Sequence, residues 1–141
     1  MIPAILIHGP TASGKTALAI EVARRLGGEV INADSMQVYR DLQVISARPT
    51  EEEMGGVKHH LFGHVDAAER YSTGQWLEDV RATIRNLELR GKRAVLVGGT
   101  GLYLLAMIQG LSNIPPVPEE VRADVRAIAD EIGRASCRER V

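Results

Sequence analysis

Ala4-Ile5-Leu6-Ile7-His8-Gly9-Pro10-Thr11-Ala12-Ser13-Gly14-Lys15-Thr16 is the stretch that decides the fold. Its first five residues make a short, nearly continuous apolar run, which predicts a strand buried on both faces of a parallel sheet. The next eight meet every fixed position of G-x-x-x-x-G-K-[ST]. Beyond them Leu18, Ala19, Val22, Ala23 and Leu26 share one face and predict a helix from about Lys15 to Leu26, stopped by Gly27-Gly28. A glycine-framed loop between a strand and a helix is a phosphate cradle, so Gly9, Pro10, Thr11, Ala12, Ser13, Gly14, Lys15 and Thr16 are the candidate binding residues. Gly9 and Gly14 let the backbone curl until its amides converge on phosphate oxygens, and the amino terminus of the helix adds a favourable dipole. Lys15 neutralises terminal phosphate charge, and the Thr16 hydroxyl suits a magnesium ion. The loop alone names no reaction, because kinases, ATPases, GTPases and binders of magnesium diphosphates share it.

Glu29-Val30-Ile31-Asn32-Ala33 is the next expected strand, predicted to lie beside the first. It delivers Asp34 to its carboxyl end, where open α/β sheets bind ligands. Asp34 reads as a general base, a magnesium ligand or an N-cap. From Asp34 to Ser72 the runs are broken by Pro49, Gly55-Gly56 and Gly63, which predicts loops and short helical turns, and a loop-rich insert after a strand often carries substrate contacts. Leu77, Val80, Ile84 and Leu87 then recur at helical spacing and predict a surface helix from Thr73 to Arg90. Ala94-Val95-Leu96-Val97 is another expected strand and Leu102 to Gln109 a short helix. Between them Gly98-Gly99-Thr100-Gly101 is either a plain glycine turn or a third contributor to a site on one sheet edge. Pro115, Pro116 and Pro118 open a last helix, from about Glu119 to Asp130. Strands alternating with helices predict a three-layer α/β fold around a central parallel sheet.

With 141 residues and 45% apolar residues, the chain has material for one domain with a real core. No apolar run reaches the roughly 18 residues of a membrane span, and the amino-terminal residues lack the pattern of a secretory signal, so a cytoplasmic protein with no membrane partner is expected. Cys137 is the only cysteine, which excludes a disulfide framework and a cysteine-rich metal site. Ile132-Gly133-Arg134-Ala135-Ser136-Cys137-Arg138-Glu139-Arg140-Val141 matches the translation of one frame of a widely used sequencing adapter. Residues 132–141 are therefore expected to be adapter read-through, with the native gene continuing from Asp130. Leaving out that segment's three Arg and one Glu takes the formal net charge from −1 to −3. A mildly acidic chain offers no electrostatic argument for RNA.

Read together, the motifs resemble the tRNA dimethylallyltransferase family, also called isopentenylpyrophosphate transferase. The residues that carry the resemblance are Gly-Pro-Thr-Ala-Ser-Gly-Lys-Thr at 9–16, Asp-Ser-Met-Gln-Val-Tyr at 34–39, Ala-Arg-Pro at 47–49, His-His-Leu at 59–61, Tyr-Ser at 71–72 and Val-Gly-Gly-Thr-Gly-Leu-Tyr at 97–103. The resemblance spans residues 4–130 and implies a P-loop transferase domain over 1–131, incomplete on its carboxyl side. It implies that dimethylallyl diphosphate donates its prenyl group to N6 of adenine-37, beside the tRNA anticodon. On that reading the 9–16 loop holds the donor diphosphate with Mg2+, Lys15 and the loop amides stabilise the leaving group, Asp34 accepts the N6 proton and Thr100 positions the reacting groups. Asp34, Ser35, Gln37, Thr100 and Arg122 match positions that touch the tRNA, and a monomer is expected.

One departure stands out. Where the family has Asp-Ile-Gly-Thr-Ala-Lys-Pro, this chain has Gln43-Val44-Ile45-Ser46-Ala47-Arg48-Pro49, and Ile45 cannot take the positive φ open to glycine at low cost. Three rival functions fit the residues: a prenyltransferase acting on free adenine nucleotides, a small-molecule P-loop kinase, and a non-catalytic nucleotide-binding module. Of the remaining polar and aromatic groups, His59 and His60 are read as solvated, Trp76 as core, and Arg81, Arg85 and Arg90 as a solvated helix face.

Overall fold

Four parallel strands separate two apolar clusters, and the period-two alternation within each strand decides which cluster a residue joins. In the computed structural model, which describes residues 4–112, 115 and 117–136, β1 is Ile5–His8, β2 Glu29–Asn32, β3 His59–His60 and β4 Ala94–Gly98. β4 sends Val95 and Val97 to one face and Ala94 and Leu96 to the other, and β2 divides Val30 from Ile31 in the same way. On the first face α1 (Lys15–Leu26) packs Ala19 and Ala23 against the valines. On the second, α2 (Thr73–Leu89) contributes Trp76, Leu77, Val80 and Leu87, and α3 (Gly101–Gln109) contributes Tyr103, Leu104 and Ala106. Helix, sheet and helix make the expected three-layer α/β P-loop fold, with the strand ends and helix starts that the sequence indicated for α1, α2, β2 and β4 kept to within a residue or two.

The strand order, β1-β4-β2-β3, corrects two expectations. β2 does not lie beside the P-loop strand, because β4 pairs with both, Ile5 to Val95 on one side and Val30 to Val95 on the other. β4 is buried at all five positions, and the strand that can lose all its exposure is the one that takes the middle of a parallel sheet. β1, in turn, ends the described sheet and is not buried on both faces: Leu6 is 40% exposed and His8 is exposed as well. In α1 the buried residues are Ala19, Ile20 and Ala23, while Leu18 and Leu26 face solvent. Small alanines bring the helix close over the sheet, which leaves the larger leucines at its rim.

Two polar side chains were also misplaced by the sequence reading. His59 and His60 are half-buried and form β3 rather than a solvated loop. His60 Nε2 meets Glu29 Oε2 at 2.6 Å, and Arg90 donates to both oxygens of the same carboxylate at 2.8 and 3.0 Å. Arg81, Arg85 and Arg90 are all exposed as expected, and Arg90 is in addition held in an ion pair with Glu29. A lone buried carboxylate would be costly, and this one is held by a bidentate guanidinium. The Arg90 hydrogen bonds, against the opposing effect of burial, bring the Glu29 carboxyl from 4.5 down to about 2, and His60 adds to the shift. A carboxyl depressed on folding stabilises the protein above its unfolded value and loses that contribution as pH falls through its folded one. Denaturant midpoints are therefore expected to separate wild type from Glu29→Gln at neutral pH and to converge between pH 4.5 and about 2. A gap constant across that window would deny the pair its role.

The chain divides after Leu111 into two compact units, Met1–Leu111 and Ser112–Val141. In the second, α4 (Glu119–Ser136) runs beyond the Asp130 end read from the sequence. It carries Val121, Val125, Ile128 and Ile132 on one exposed stripe. Among the described residues no helix is long and apolar enough to cross a membrane. Pro116 and Cys137 lie outside the described residues.

Candidate active site

The loop after β1 curls by a different route from the one its glycines suggested. Positive φ falls on Ala12, at 61°, and on Gly14, at 79°, while Gly9 is absent from the left-handed residues. At Gly9 the constraint is one of space instead, since a Cβ there would stand 3.1 Å from Ser13 Oγ, which would have to give by a few tenths of an ångström. Gly14 caps α1 with no side-chain cap and no acidic residue in the first turn, so the helix's own first turn does not neutralise its unpaired amides and positive dipole end. Lys15 Nζ donates to the Pro10 carbonyl at 2.9 Å, which holds its ammonium across the mouth of the loop.

These groups open onto a cavity of about 470 Å³ lined by residues 11–17, Ile20, Asp34, Gln37, Ser46, Ala47, Pro49 and Glu53. Asp34 is thus on the same side of the sheet as the loop, as its place at a strand end predicted, although its strand is not the neighbour of β1. Gly99 lies beside both: a Cβ on it would stand 3.5 Å from Asp34 Oδ2 and 3.7 Å from the Gly9 carbonyl, in ordinary contact with each. Asp34 Oδ1 accepts the Met36 amide at 2.9 Å, which closes a turn at the carboxylate. The Tyr103 phenol, beneath the site, is pushed up to about 12 by burial first and then by the charges of Tyr39 and Asp34, so it remains protonated at neutral pH. It stacks on Trp76 with ring centroids 4.3 Å apart, and Trp76 is fully buried, in accord with its reading as core.

Thr100 does not line the cavity. It reaches the site through Ser35, whose amide donates to Thr100 Oγ1 at 2.9 Å and whose Oγ accepts from it at 3.2 Å. The glycine turn at 98–101 is therefore more than a connection, since it joins the end of β4 to the residue after Asp34. Gln37 lines the cavity with its amide donating to the Ser46 and Ala47 carbonyls at 3.0 and 3.2 Å. That contact ties down the loop that departs from the family pattern. The left-handed residue there is Ala47, at 50°, rather than Ile45, which is 80% exposed. Arg122 is exposed on α4, in the second unit. Gly9 and Pro10 lie just outside the cavity lining.

Sequence reasoning passed over Glu53, Ser46 and Ile20. Glu53 was signalled: Thr50-Glu51-Glu52-Glu53 is a capping box, with Thr50 N donating to Glu53 Oε2 at 2.8 Å and Glu53 N to Thr50 Oγ1 at 3.2 Å. Ala47 and Pro49 lie in a recognised motif, but no spacing argument assigned them to the wall. Among the described residues no group of three His, Cys, Asp or Glu could hold a metal by itself. Thr16 and Asp34 do present oxygen donors to one cavity, which suits a magnesium ion that keeps water and shares phosphate oxygens.

The model of the IPP transferase family matches residues 37–141. The chain belongs to the IPP transferase family. The family match begins after the P-loop and Asp34, but longer matches include them. The tRNA dimethylallyltransferase of Hyphomonas neptunium is 71% identical over 141 residues, all of this chain and 45% of that protein. That of Rhizobium etli strain CIAT 652 is 60% identical over 123 residues, 87% of this chain and 41% of the relative. Among solved structures, the full-length tRNA isopentenylpyrophosphate transferase of Bacillus halodurans superposes with a TM-score of 0.78 at 39% identity, covering 93% of this chain and 44% of that one. A eukaryotic dimethylallyltransferase acting on tRNA gives 0.71 at 39% identity, over 82% and 27%. This IPP transferase chain thus spans less than half the length of the relatives it matches.

Lys15 gives the first test of the cradle. Lys15→Ala is expected to weaken calorimetric binding of magnesium pyrophosphate by roughly 10- to 100-fold, the range of a lost charge-assisted hydrogen bond. The melting midpoint should hardly move, because among the described residues the side chain's hydrogen-bond partner is the exposed Pro10 carbonyl. Unchanged affinity would remove the lysine from the site.

Proposed function

We propose that the protein transfers a dimethylallyl group from dimethylallyl diphosphate to N6 of adenine-37 in tRNA, releasing diphosphate. The observation that carries this reading is the opening of the Asp34 carboxylate onto the cavity lined by the loop amides, Lys15 and Thr16. The two halves of the reaction need those two kinds of group. Breaking the allylic C1–O bond builds negative charge on the departing diphosphate, which the amides and Lys15 stabilise as it forms. The exocyclic amine attacks C1 and must lose a proton, for which a carboxylate within reach is the acceptor. Magnesium, held by Thr16 and diphosphate oxygens, would add positive charge to the leaving group. Adenine-37 would enter by leaving its stack, with Gln37 in the wall it would meet and Thr100 acting through Ser35, the residue after Asp34. Arg122 is proposed as a tRNA contact through its motif position.

The names of the relatives support tRNA over free nucleotides as acceptor and over a kinase reaction. The chain's charge supports neither, so the acceptor has to be tested directly. The chain, alone and fused in frame to the carboxyl-terminal remainder of the Hyphomonas neptunium relative, is incubated with labelled dimethylallyl diphosphate and either tRNA or AMP, and in parallel with γ-labelled ATP and small alcohols. Label entering tRNA from either form is the expected result. Label entering AMP, phosphate transfer from ATP, or no transfer by either form while magnesium pyrophosphate binds, would refute the proposal.

A further inference from the structure

Asn32 is fully buried at the end of β2, two residues before the carboxylate. Its amide spends every available group on the site's backbone. Nδ2 donates to the Asp34 carbonyl at 2.9 Å and to the Leu61 carbonyl at 3.0 Å, while Oδ1 accepts the Asp34 amide at 2.9 Å. The orientation is dictated by the partners, since a backbone N–H can only donate and two carbonyls can only accept. Its own carbonyl accepts the Trp76 indole N–H at 2.9 Å, which ties the residue into the core beneath. Leu61, the far partner, has φ 62°, a backbone state uncommon for a bulky side chain and one that needs outside support. From Leu61 the chain returns at once to the cavity wall, where Gly63 N donates to the Gln37 carbonyl at 2.9 Å.

We infer that Asn32 is a positioning residue for Asp34: one buried amide clamps the chain leaving β2 and the chain leaving β3, and so sets the direction in which the carboxylate points. It touches no reacting atom, and its role rests on the proposal that Asp34 takes the acceptor's proton. A side chain that merely filled space would require volume alone. This one requires two donors and an acceptor together, a combination among neutral side chains of this size found only in asparagine.

Asn32→Asp keeps the shape and replaces the two donors with an oxygen facing two carbonyls. Protonation restores one of the two bonds, so the defect is pH-dependent. The direct reporter is the Met36 amide, whose acceptor is Asp34 Oδ1. In Asn32→Asp at neutral pH its hydrogen exchange is expected to quicken by about tenfold or more while amides of α1 and β4 keep their protection. In the form that transfers label, kcat should fall by about tenfold or more with the KM for dimethylallyl diphosphate within about twofold, and the ratio to wild type should recover as pH is lowered. Asn32→Ser, whose hydroxyl accepts one bond and donates one, should be intermediate in exchange and in kcat, and it decides the matter if Asn32→Asp does not fold. Wild-type exchange at Met36 in the folded variant, or a KM that rises with kcat unchanged, overturns the inference. If wild type transfers no label at all, the proposed function falls, and Met36 exchange alone then judges Asn32.

Discussion

Asp34→Asn is expected to reduce prenyl transfer by about 10²- to 10⁴-fold, the usual worth of a positioned general base, while magnesium pyrophosphate binds as tightly as before or more tightly. The second half follows from charge. The carboxylate shares a cavity with the phosphate cradle, and removing a negative charge beside an anion site can only favour the anion. Asparagine also keeps an oxygen for the Met36 amide, so the turn that Asp34 Oδ1 closes survives. The substitution therefore separates the three roles open to this residue. A magnesium ligand would show weaker magnesium pyrophosphate binding. An N-cap would show no change, because asparagine caps as well as aspartate does. Only a proton acceptor shows lost transfer with binding intact. Single-turnover transfer and calorimetry on the same preparation make the measurement, and transfer within tenfold of wild type would end the base assignment.

What the sequence disclosed and what it hid follow from the range of the forces involved. α1 and α2 were legible because a helix advertises its buried face at fixed local spacing, and β4 because its uninterrupted apolar run suits a strand covered on both faces, although the similar run of β1 went to the end of the described sheet. The cradle was legible because a phosphate-binding turn leaves few residue choices. Strand order was hidden: nothing local to Glu29–Asn32 states that β4 will come between it and β1. β3 was hidden for the same reason, since two adjacent histidines read as a polar loop until Glu29, 31 residues earlier, and Arg90 supply the partners that let His60 be half-buried. The left-handed Ala12 was hidden because alanine carries no signal for that backbone state. Asn32 has the same character, because its value lies in Leu61, which only the fold brings within 3.0 Å.

The largest effect on stability is expected from one hydrogen atom. Gly98 ends β4 where its chain crosses closest to the end of β2, and a Cβ there would lie 2.1 Å from both the carbonyl carbon and the oxygen of Ala33, and 2.7 Å from the Asp34 amide nitrogen. Those atoms are backbone and cannot swing aside as a side-chain tip can. They are also held in place, since Ala33 N donates to the Val97 carbonyl at 2.7 Å and Thr100 N to the Ala33 carbonyl at 3.3 Å. Gly98→Ala must therefore part the two strand ends, and overpacking of this kind costs on the order of 3 kcal/mol or more. Against a domain stability of about 5–15 kcal/mol, that lowers the melting midpoint by many degrees or prevents folding. Gly99→Ala is the control one residue away: its nearest contacts, 3.5 and 3.7 Å, are ordinary van der Waals distances. It should leave the melting midpoint within a few degrees of wild type. If Gly98→Ala melts like wild type, the two strand ends do not approach as described, and the junction that brings Thr100 to Ser35 would have to be drawn differently. If instead both variants behave as stated, the requirement for glycine is confined to position 98, where the ends of β4 and β2 meet backbone to backbone.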